Sequence, residues 1–69
     1  MRISAQNQLK GVVKSVERGA VNALVTIELP GGTPIVSVIT LHAVDALGLK
    51  PGREAYAVIK ASNVIVGVD

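Results

Sequence analysis

Apolar and polar residues alternate along most of this chain, and the alternation predicts β-strands. The clearest example is residues 21–29, where every odd position is apolar and most even positions are polar. A period of two with one apolar face is typical of a strand that is half buried. The same pattern predicts four more strands, at residues 12–16 with an interruption at Gly11, at 35–40, at 55–60 and at 64–68.

The pattern changes after the third predicted strand. Thr40 can act as an N-cap, the apolar positions in residues 41–49 suit one or two turns of helix, and Gly48 is placed to end it. Glycine and proline favour turn conformations, and they predict turns at Arg18-Gly19, at 30–33 and at 50–52. This order matches the connectivity of an OB-like Greek-key barrel. We therefore expect an all-β fold with five strands and one short helix between strands 3 and 4.

Chain length limits how such a fold can be stabilised. The 69 residues, with a mass of 7.1 kDa, predict one domain spanning residues 1–69. A chain of this size buries only about 60% of the surface that it exposes when unfolded. There is no cysteine, and His42 is the only histidine, which excludes disulfides and a thiolate or multi-histidine metal site within one chain. Because 49% of the residues are hydrophobic and the mean hydropathy is +0.51, we expect copies of the chain to associate.

Charge and aromatic content argue against several classes of function. The net charge is +2 and the seven basic residues are scattered, so a polycationic surface for nucleic acid or membrane is not expected. Tyr56 is the only aromatic residue, which leaves no platforms for the base stacking that binds single-stranded nucleic acid. No apolar run approaches the roughly 20 residues of a membrane helix, and no targeting signal is recognised, so we expect a cytoplasmic protein. Catalysis is disfavoured because nothing fixes a nucleophile or orienting group beside His42.

Two short polar segments have the chemistry to bind a small oxyanion. Such a ligand needs hydrogen-bond donors and a cation but no strong acceptor. Residues 4–7 offer a hydroxyl and two amide side chains, and residues 60–63 add the ammonium group of Lys60 and a second hydroxyl at a strand break. Spacing alone fits two ordinary polar turns at least as well, because serine and asparagine are common turn residues.

Five segments of the chain together carry a family resemblance. They are Ile3-Ser4-Ala5-Gln6-Asn7-Gln8-Leu9-Lys10-Gly11, Gly19-Ala20-Val21-Asn22-Ala23, Val38-Ile39-Thr40, Leu47-Gly48-Leu49-Lys50-Pro51-Gly52 and Glu54-Ala55-Tyr56-Ala57-Val58-Ile59-Lys60-Ala61-Ser62. In this order and at this length, the chain resembles the molbindin (Mop) family of small cytoplasmic molybdate-binding proteins over essentially its whole length. The resemblance implies an OB-like barrel that assembles as a hexamer, a trimer of dimers, with oxyanions bound between subunits.

The resemblance also implies two classes of oxyanion site. The first uses the N-terminal polar segment and the Lys-Ala-Ser segment, which places it on Ser4, Ala5, Gln6, Lys60, Ala61 and Ser62, with Thr40 close by. The second class lies near the threefold axes and is expected to involve the turn formed by Gly19, Ala20, Val21 and Asn22.

Two positions depart from the family pattern. The family usually has arginine where this chain has Gln6, and often serine where it has Ala43. Losing an arginine removes a full charge and a bidentate donor from an oxyanion site. If that side chain faces the ligand, affinity falls about ten- to a hundredfold, since hydrogen bonds to charged groups contribute roughly 1.5–3 kcal/mol. If the position binds through its backbone N–H, the effect is mild.

The residues and the resemblance together predict a non-enzymatic protein that binds molybdate or tungstate for storage or buffering. It requires no cofactor, and its expected partners are the anion and further copies of itself rather than nucleic acid or membrane. The alternative is an assembly module of the same fold whose anion sites are weakened or lost, and Gln6 keeps that alternative open. A nucleic-acid-binding barrel is a third hypothesis, which the missing aromatic residues disfavour.

Overall fold

A curled antiparallel sheet of four strands forms the body of the molecule. The computed structural model describes residues 1–69. Its elements in chain order are β1 (Asn7–Arg18), β2 (Asn22–Glu28), β3 (Pro34–Thr40), helix α1 (Leu41–Leu47), β4 (Glu54–Ile59) and a 3₁₀ turn (Ala61–Asn63). The strands lie in the order β3-β2-β1-β4, so the fourth strand returns beside the first, as in a Greek key. The predicted all-β class and the position of the helix are confirmed.

Strand β2 shows why alternation is a reliable signal in this chain. Its odd residues Ala23, Val25 and Ile27 are buried, and they form half of the six-residue apolar core. The alternation predicts Val21 on the same face, but Val21 lies in the turn before β2 and is 70% exposed. The strand ends at Glu28, because the Leu29 N–H donates to the Thr33 carbonyl and opens the predicted turn at 30–33.

Helix α1 begins and ends where the sequence predicts. The Thr40 hydroxyl accepts a hydrogen bond from the Ala43 N–H over 3.1 Å, which is the arrangement of an N-cap. Gly48 follows the helix in the left-handed conformation with φ 62°, and its N–H donates to the last helical carbonyls. Val44 is the buried residue of the helix and completes the core against the sheet. No helix of this chain has the length and apolarity needed to cross a membrane.

Strand β1 is longer than predicted and pairs with two other strands. Residues 7–12 pair with β4, and residues 12–18 pair with β2. The predicted interruption at Gly11 is wrong, because Gly11 lies inside the strand. A β-carbon at Gly11 would lie 2.5 Å from the Glu28 carbonyl oxygen and 2.8 Å from Ile27 Cγ2. Glycine therefore allows two backbones to approach closely where β1 changes partner.

The fifth predicted strand is absent, and that prediction is wrong for the single chain. Residues 64–69 pair with no strand, and Ile65, Val66 and Val68 are 94%, 86% and 95% exposed. No ladder joins β3 to β4 within the chain, so closure of the curled sheet into a barrel stays a prediction. An alternating apolar pattern indicates that a segment prefers a pleated, extended conformation. It does not show that a partner strand is available in the same chain.

In the single chain, more large apolar side chains are exposed than buried. Six apolar residues are buried, whereas fifteen large apolar side chains are exposed. An open groove of ≈ 400 Å³, lined largely by apolar residues of β2, β3 and β4, runs beside the core. We call it the apolar groove; Val25, Ile27, Ile39 and Leu49 are among its lining residues.

Candidate oxyanion site

Pairing of β1 with β4 brings the two polar segments together. Asn7 lies opposite Ile59 at the end of this ladder, so the residues before Asn7 and after Ile59 continue from neighbouring strand ends. A shallow depression of ≈ 430 Å³ lies between them and is lined by Ser4, Ala5, Gln6, Lys60, Ala61 and Ser62. These are six of the seven residues that the resemblance implies for the first class of site, and the chain brings them to one place.

The depression offers hydrogen-bond donors and no carboxylate. Its lining includes two hydroxyls, one amide side chain and one ammonium group. The backbone N–H groups of Ala61 and Ser62 donate to no backbone carbonyl, because the hydrogen bonds of the 3₁₀ turn start from the two residues that follow. No group of three or more His, Cys, Asp and Glu side chains in the chain is arranged to hold a metal cation. The chemistry of the depression is therefore suited to an anion.

Lys60 is the cation of the depression, and it has no ion-pair partner. Three other basic residues do: Lys10 lies 3.1 Å from Glu54, Lys14 lies 3.6 Å from Glu28, and Arg18 lies 3.1 Å from Asp45. The hydrogen bond from Lys10 to the Glu54 carboxylate, and then the attraction between their charges, raise the pKa of Lys10. The charge of Lys60, in contrast, is not engaged by any carboxylate of the chain.

Thr40 does not line this depression. It lies opposite Asn22 in the ladder between β2 and β3, and β1 reaches that region with its far end, at Arg18. The depression lies at the other end of β1, before Asn7. Within one chain Thr40 thus neighbours the segment predicted for the second class of site. It reaches a site of the first class only if another subunit supplies it.

The segment predicted for the second class of site is a tight exposed turn. The Gly19 N–H donates to the Asn22 carbonyl over 2.8 Å, and the Val21 carbonyl accepts from the Leu41 N–H over 2.9 Å. The N–H groups of Ala20 and Val21 have no backbone acceptor in the chain. The turn therefore offers free donors, and its part in anion binding stays a prediction.

Two amide side chains beside the depression make contacts that sequence reasoning does not predict: Asn7 belongs to the polar segment 4–7 without a predicted partner, and Gln8 is not among the predicted site residues. The Asn7 side-chain amide donates to the Ile59 carbonyl over 3.1 Å, and the Gln8 side-chain amide donates to the Ala5 carbonyl over 2.6 Å. Their amide side chains are visible in the sequence, directly after Gln6. The pattern does not reveal which carbonyl groups they bind, because that depends on how β1 and β4 are paired.

Comparison with known proteins identifies the family of the chain. A model of the TOBE domain matches residues 3–66. The chain belongs to the TOBE domain family. A "probable molybdenum-pterin-binding protein" of Haemophilus influenzae is 55% identical to it over 69 residues, which cover 100% of both chains. "Molybdenum-pterin-binding protein 2" of Clostridium pasteurianum is 47% identical over 66 residues, 96% of this chain and 97% of that protein. The resemblance to the molbindin (Mop) proteins is thereby confirmed.

Solved structures show the same fold. The cytoplasmic molybdate-binding protein ModG, solved with molybdate bound, superposes with a TM-score of 0.96 and 62% identity; the match covers 100% of this TOBE chain and 49% of the ModG chain. MopII of Clostridium pasteurianum superposes with a TM-score of 0.92 and 45% identity, over 97% of this chain and 100% of MopII. This TOBE chain therefore corresponds to the whole of MopII and to about half of ModG.

Proposed function

We propose that this TOBE protein binds molybdate or tungstate in the cytoplasm, as a store or buffer, and that its role is binding rather than catalysis. The donor-lined depression between residues 4–6 and 60–62 carries the proposal. Similarity to proteins named as molybdenum-pterin-binding and to the cytoplasmic molybdate-binding protein ModG supports it. The anion is the only ligand that this function requires, and no cofactor is involved.

The ligand that fits this lining is an unprotonated oxyanion. Molybdate accepts hydrogen bonds at all of its oxygen atoms and donates none, so a site made of donors satisfies it. Hydrogen bonds between such donors and a charged acceptor are also stronger than those between neutral groups. A pterin ring fits less well, because Tyr56 is the only aromatic residue of the chain and does not line the depression.

A second subunit would complete the site. In the single chain five of the six lining residues are exposed and only Ala5 is half-buried, so water screens the charge of Lys60. The fifteen exposed apolar side chains and the apolar groove give the chain ample surface for self-association. If another copy of the chain covers the depression, water is excluded and each hydrogen bond to the anion becomes stronger. The second copy can also contribute its own Thr40 to the site. We propose a hexamer built as a trimer of dimers, as the family resemblance implies.

Titration calorimetry with molybdate, tungstate, sulfate and phosphate tests this function. We expect molybdate and tungstate to bind alike, because they share charge, shape and nearly the same size. Sulfate is smaller and leaves the donors of the site at longer distances. Phosphate carries a proton near neutral pH, and the lining has no carboxylate to accept it, only the weaker hydroxyl and amide oxygens of Ser4, Ser62 and Gln6. Equal affinity for all four anions, or no binding of molybdate, contradicts the proposal.

Gln6→Arg should change molybdate affinity only slightly. We expect position 6 to bind the anion through its backbone N–H, so that an added side-chain charge stays away from the ligand and contributes about 0–1 kcal/mol, at most about fivefold in affinity. The backbone N–H of residue 6 is kept in the variant. Asn63→Arg serves as the control, because it adds the same charge to an exposed amide position beside the other polar segment.

A large gain in affinity with Gln6→Arg, reduced by added salt, contradicts this expectation. It favours the alternative function, an assembly module whose anion sites have been weakened by loss of the arginine. The neutral side chain of Gln6 is the observation that favours that alternative. Calorimetry of both variants at low and high salt separates the two functions.

A further inference from the structure

Two side-chain amides flank the depression, whose two halves are the segments 4–6 and 60–62. Each amide donates a hydrogen bond to a backbone carbonyl within or directly beside one of these halves. Gln8 Nε2 donates to the Ala5 carbonyl oxygen over 2.6 Å, and Asn7 Nδ2 donates to the Ile59 carbonyl oxygen over 3.1 Å. Both side chains are half-buried. They are the only side chains of the chain that donate to a backbone carbonyl. Their concentration at this one place calls for a physical reason.

Each hydrogen bond fixes the orientation of one peptide group. In a planar trans peptide the carbonyl oxygen and the N–H point to opposite sides, and this chain has no cis peptide bond. The peptide that carries the Ala5 carbonyl also carries the N–H of Gln6. Holding the Ala5 oxygen at the Gln8 amide therefore turns the Gln6 N–H to the side away from Gln8.

The Asn7 hydrogen bond reinforces, on the other half of the depression, a peptide orientation that the sheet already sets, because Asn7 and Ile59 are paired in the ladder between β1 and β4. The peptide that carries the Ile59 carbonyl also carries the N–H of Lys60. The bond joins residues 52 positions apart, so it also ties the N-terminal segment to the strand end from which Lys60 projects. The Gln8 amide thus sets the orientation of a peptide in the first segment, and the Asn7 amide reinforces that of a peptide in the second.

The two bonds also hold two acceptor oxygens in fixed directions. A carbonyl oxygen that faces a dianion repels it, whereas the same oxygen accepts the proton of hydrogen phosphate. With the Ala5 and Ile59 oxygens directed at the Gln8 and Asn7 amides, one of the two lone pairs of each oxygen is occupied and each oxygen faces away from the N–H of its own peptide. The expected consequence is discrimination between unprotonated and protonated oxyanions, in addition to affinity.

We propose that Asn7 and Gln8 are positioning residues of the oxyanion site, which orient the peptides 59–60 and 5–6 and withhold their carbonyl oxygens from the anion. This inference rests on the proposed function. It extends the site beyond its six lining residues to two side chains that need not touch the ligand.

The test uses Gln8→Met and Asn7→Leu in the full-length protein, because both replacements keep the approximate shape of the side chain and remove the donor. Asn63→Leu is the matched control, since it removes an exposed amide beside the depression that makes no side-chain hydrogen bond. Molybdate and phosphate affinities are measured by calorimetry. The melting temperature and mass of the anion-free protein are measured in parallel.

We expect each of the two variants to bind molybdate about two- to tenfold more weakly, the range expected for one hydrogen bond. The ratio of molybdate to phosphate affinity should fall as well, while the melting temperature, the mass and the control stay close to wild type. Equal weakening for both anions together with a lower melting temperature overturns the inference, because it indicates a purely structural role. Unchanged molybdate affinity also overturns it, and absence of molybdate binding by the wild-type protein overturns the proposed function as well.

A measurement on the wild-type protein keeps the inference testable if a variant does not fold. Side-chain amide protons of Gln8 that are held by the Ala5 carbonyl should exchange slowly with solvent, and more slowly when molybdate is bound. Fast exchange that molybdate does not change would overturn the inference without any substitution.

Discussion

Lys60→Ala should weaken molybdate binding by about ten- to a hundredfold and leave the assembly intact. Charge-assisted hydrogen bonds contribute roughly 1.5–3 kcal/mol, and every 1.4 kcal/mol corresponds to about a factor of ten in affinity. Lys60 is the only cation that lines the depression, and no carboxylate of the chain neutralises it. Calorimetry gives the affinity, and light scattering gives the mass.

Lys50→Ala is the matched control for this result. Lys50 is exposed and has no ion-pair partner, and it precedes the opposite end of β4. The same loss of charge there should leave molybdate affinity within about a factor of two, since exposed charges interact weakly through water. If both variants bind equally, the site has been assigned to the wrong segment. If Lys60→Ala dissociates the assembly, Lys60 has a structural role instead.

The wild-type protein should scatter light as a particle several times heavier than 7.1 kDa at micromolar concentration, and Ile65→Asp should shift it towards monomer. Ile65 is 94% exposed in the single chain and lies in the apolar, unpaired segment 64–69. Burying an isoleucine side chain contributes roughly 1.5–3 kcal/mol. Burying an unpaired carboxylate costs more than that. Because the proposed anion site lies between subunits, molybdate affinity should fall with the mass.

Thr33→Asp controls for the added negative charge. Thr33 lies in the exposed turn between β2 and β3 and does not line the apolar groove. This variant should keep both the wild-type mass and the wild-type affinity. A monomeric wild-type protein that binds molybdate tightly would contradict the assembly and, with it, a site between subunits.

Local signals in the sequence predict local structure accurately. The cap residues Thr40 and Gly48 define helix α1, and the glycine-containing segments 30–33 and 50–52 form turns. Each of these features depends on residues only a few positions apart, whose conformational preferences act regardless of the rest of the fold. The alternating face of β2 is predicted for the same reason.

Features that depend on distant pairing are predicted less well. Gly11 looks like a break in the strand pattern, yet it lies inside β1 because Glu28 of another strand approaches its backbone. Residues 64–68 have the composition of a strand, but they pair with no strand of the same chain. No local pattern states which partner a strand will find, or whether that partner belongs to the same chain.

The candidate site likewise has features that the sequence predicts and features that only the fold determines. The donor chemistry of residues 4–6 and 60–62 is visible in the sequence, and the family resemblance alone joins the two segments into one site. The roles of Asn7 and Gln8 depend on the register of β1 with β4, and the distance of Thr40 from the depression depends on the order of strands. Donor types are a property of the sequence, whereas the atoms they meet are a property of the fold.

The pairing of Asn7 with Ile59 links the proposed anion binding to the stability of the folded chain. The two halves of the depression stand near opposite ends of the sequence, and only the complete sheet brings them together. An unfolded chain therefore has no site, and a ligand that binds only the folded state stabilises it by about 2.7 kcal/mol when present at a hundredfold excess over Kd. If the depression binds molybdate as proposed, the bound anion links the two ends of the chain, and the anion-free protein is expected to unfold at lower temperature than the molybdate-bound protein.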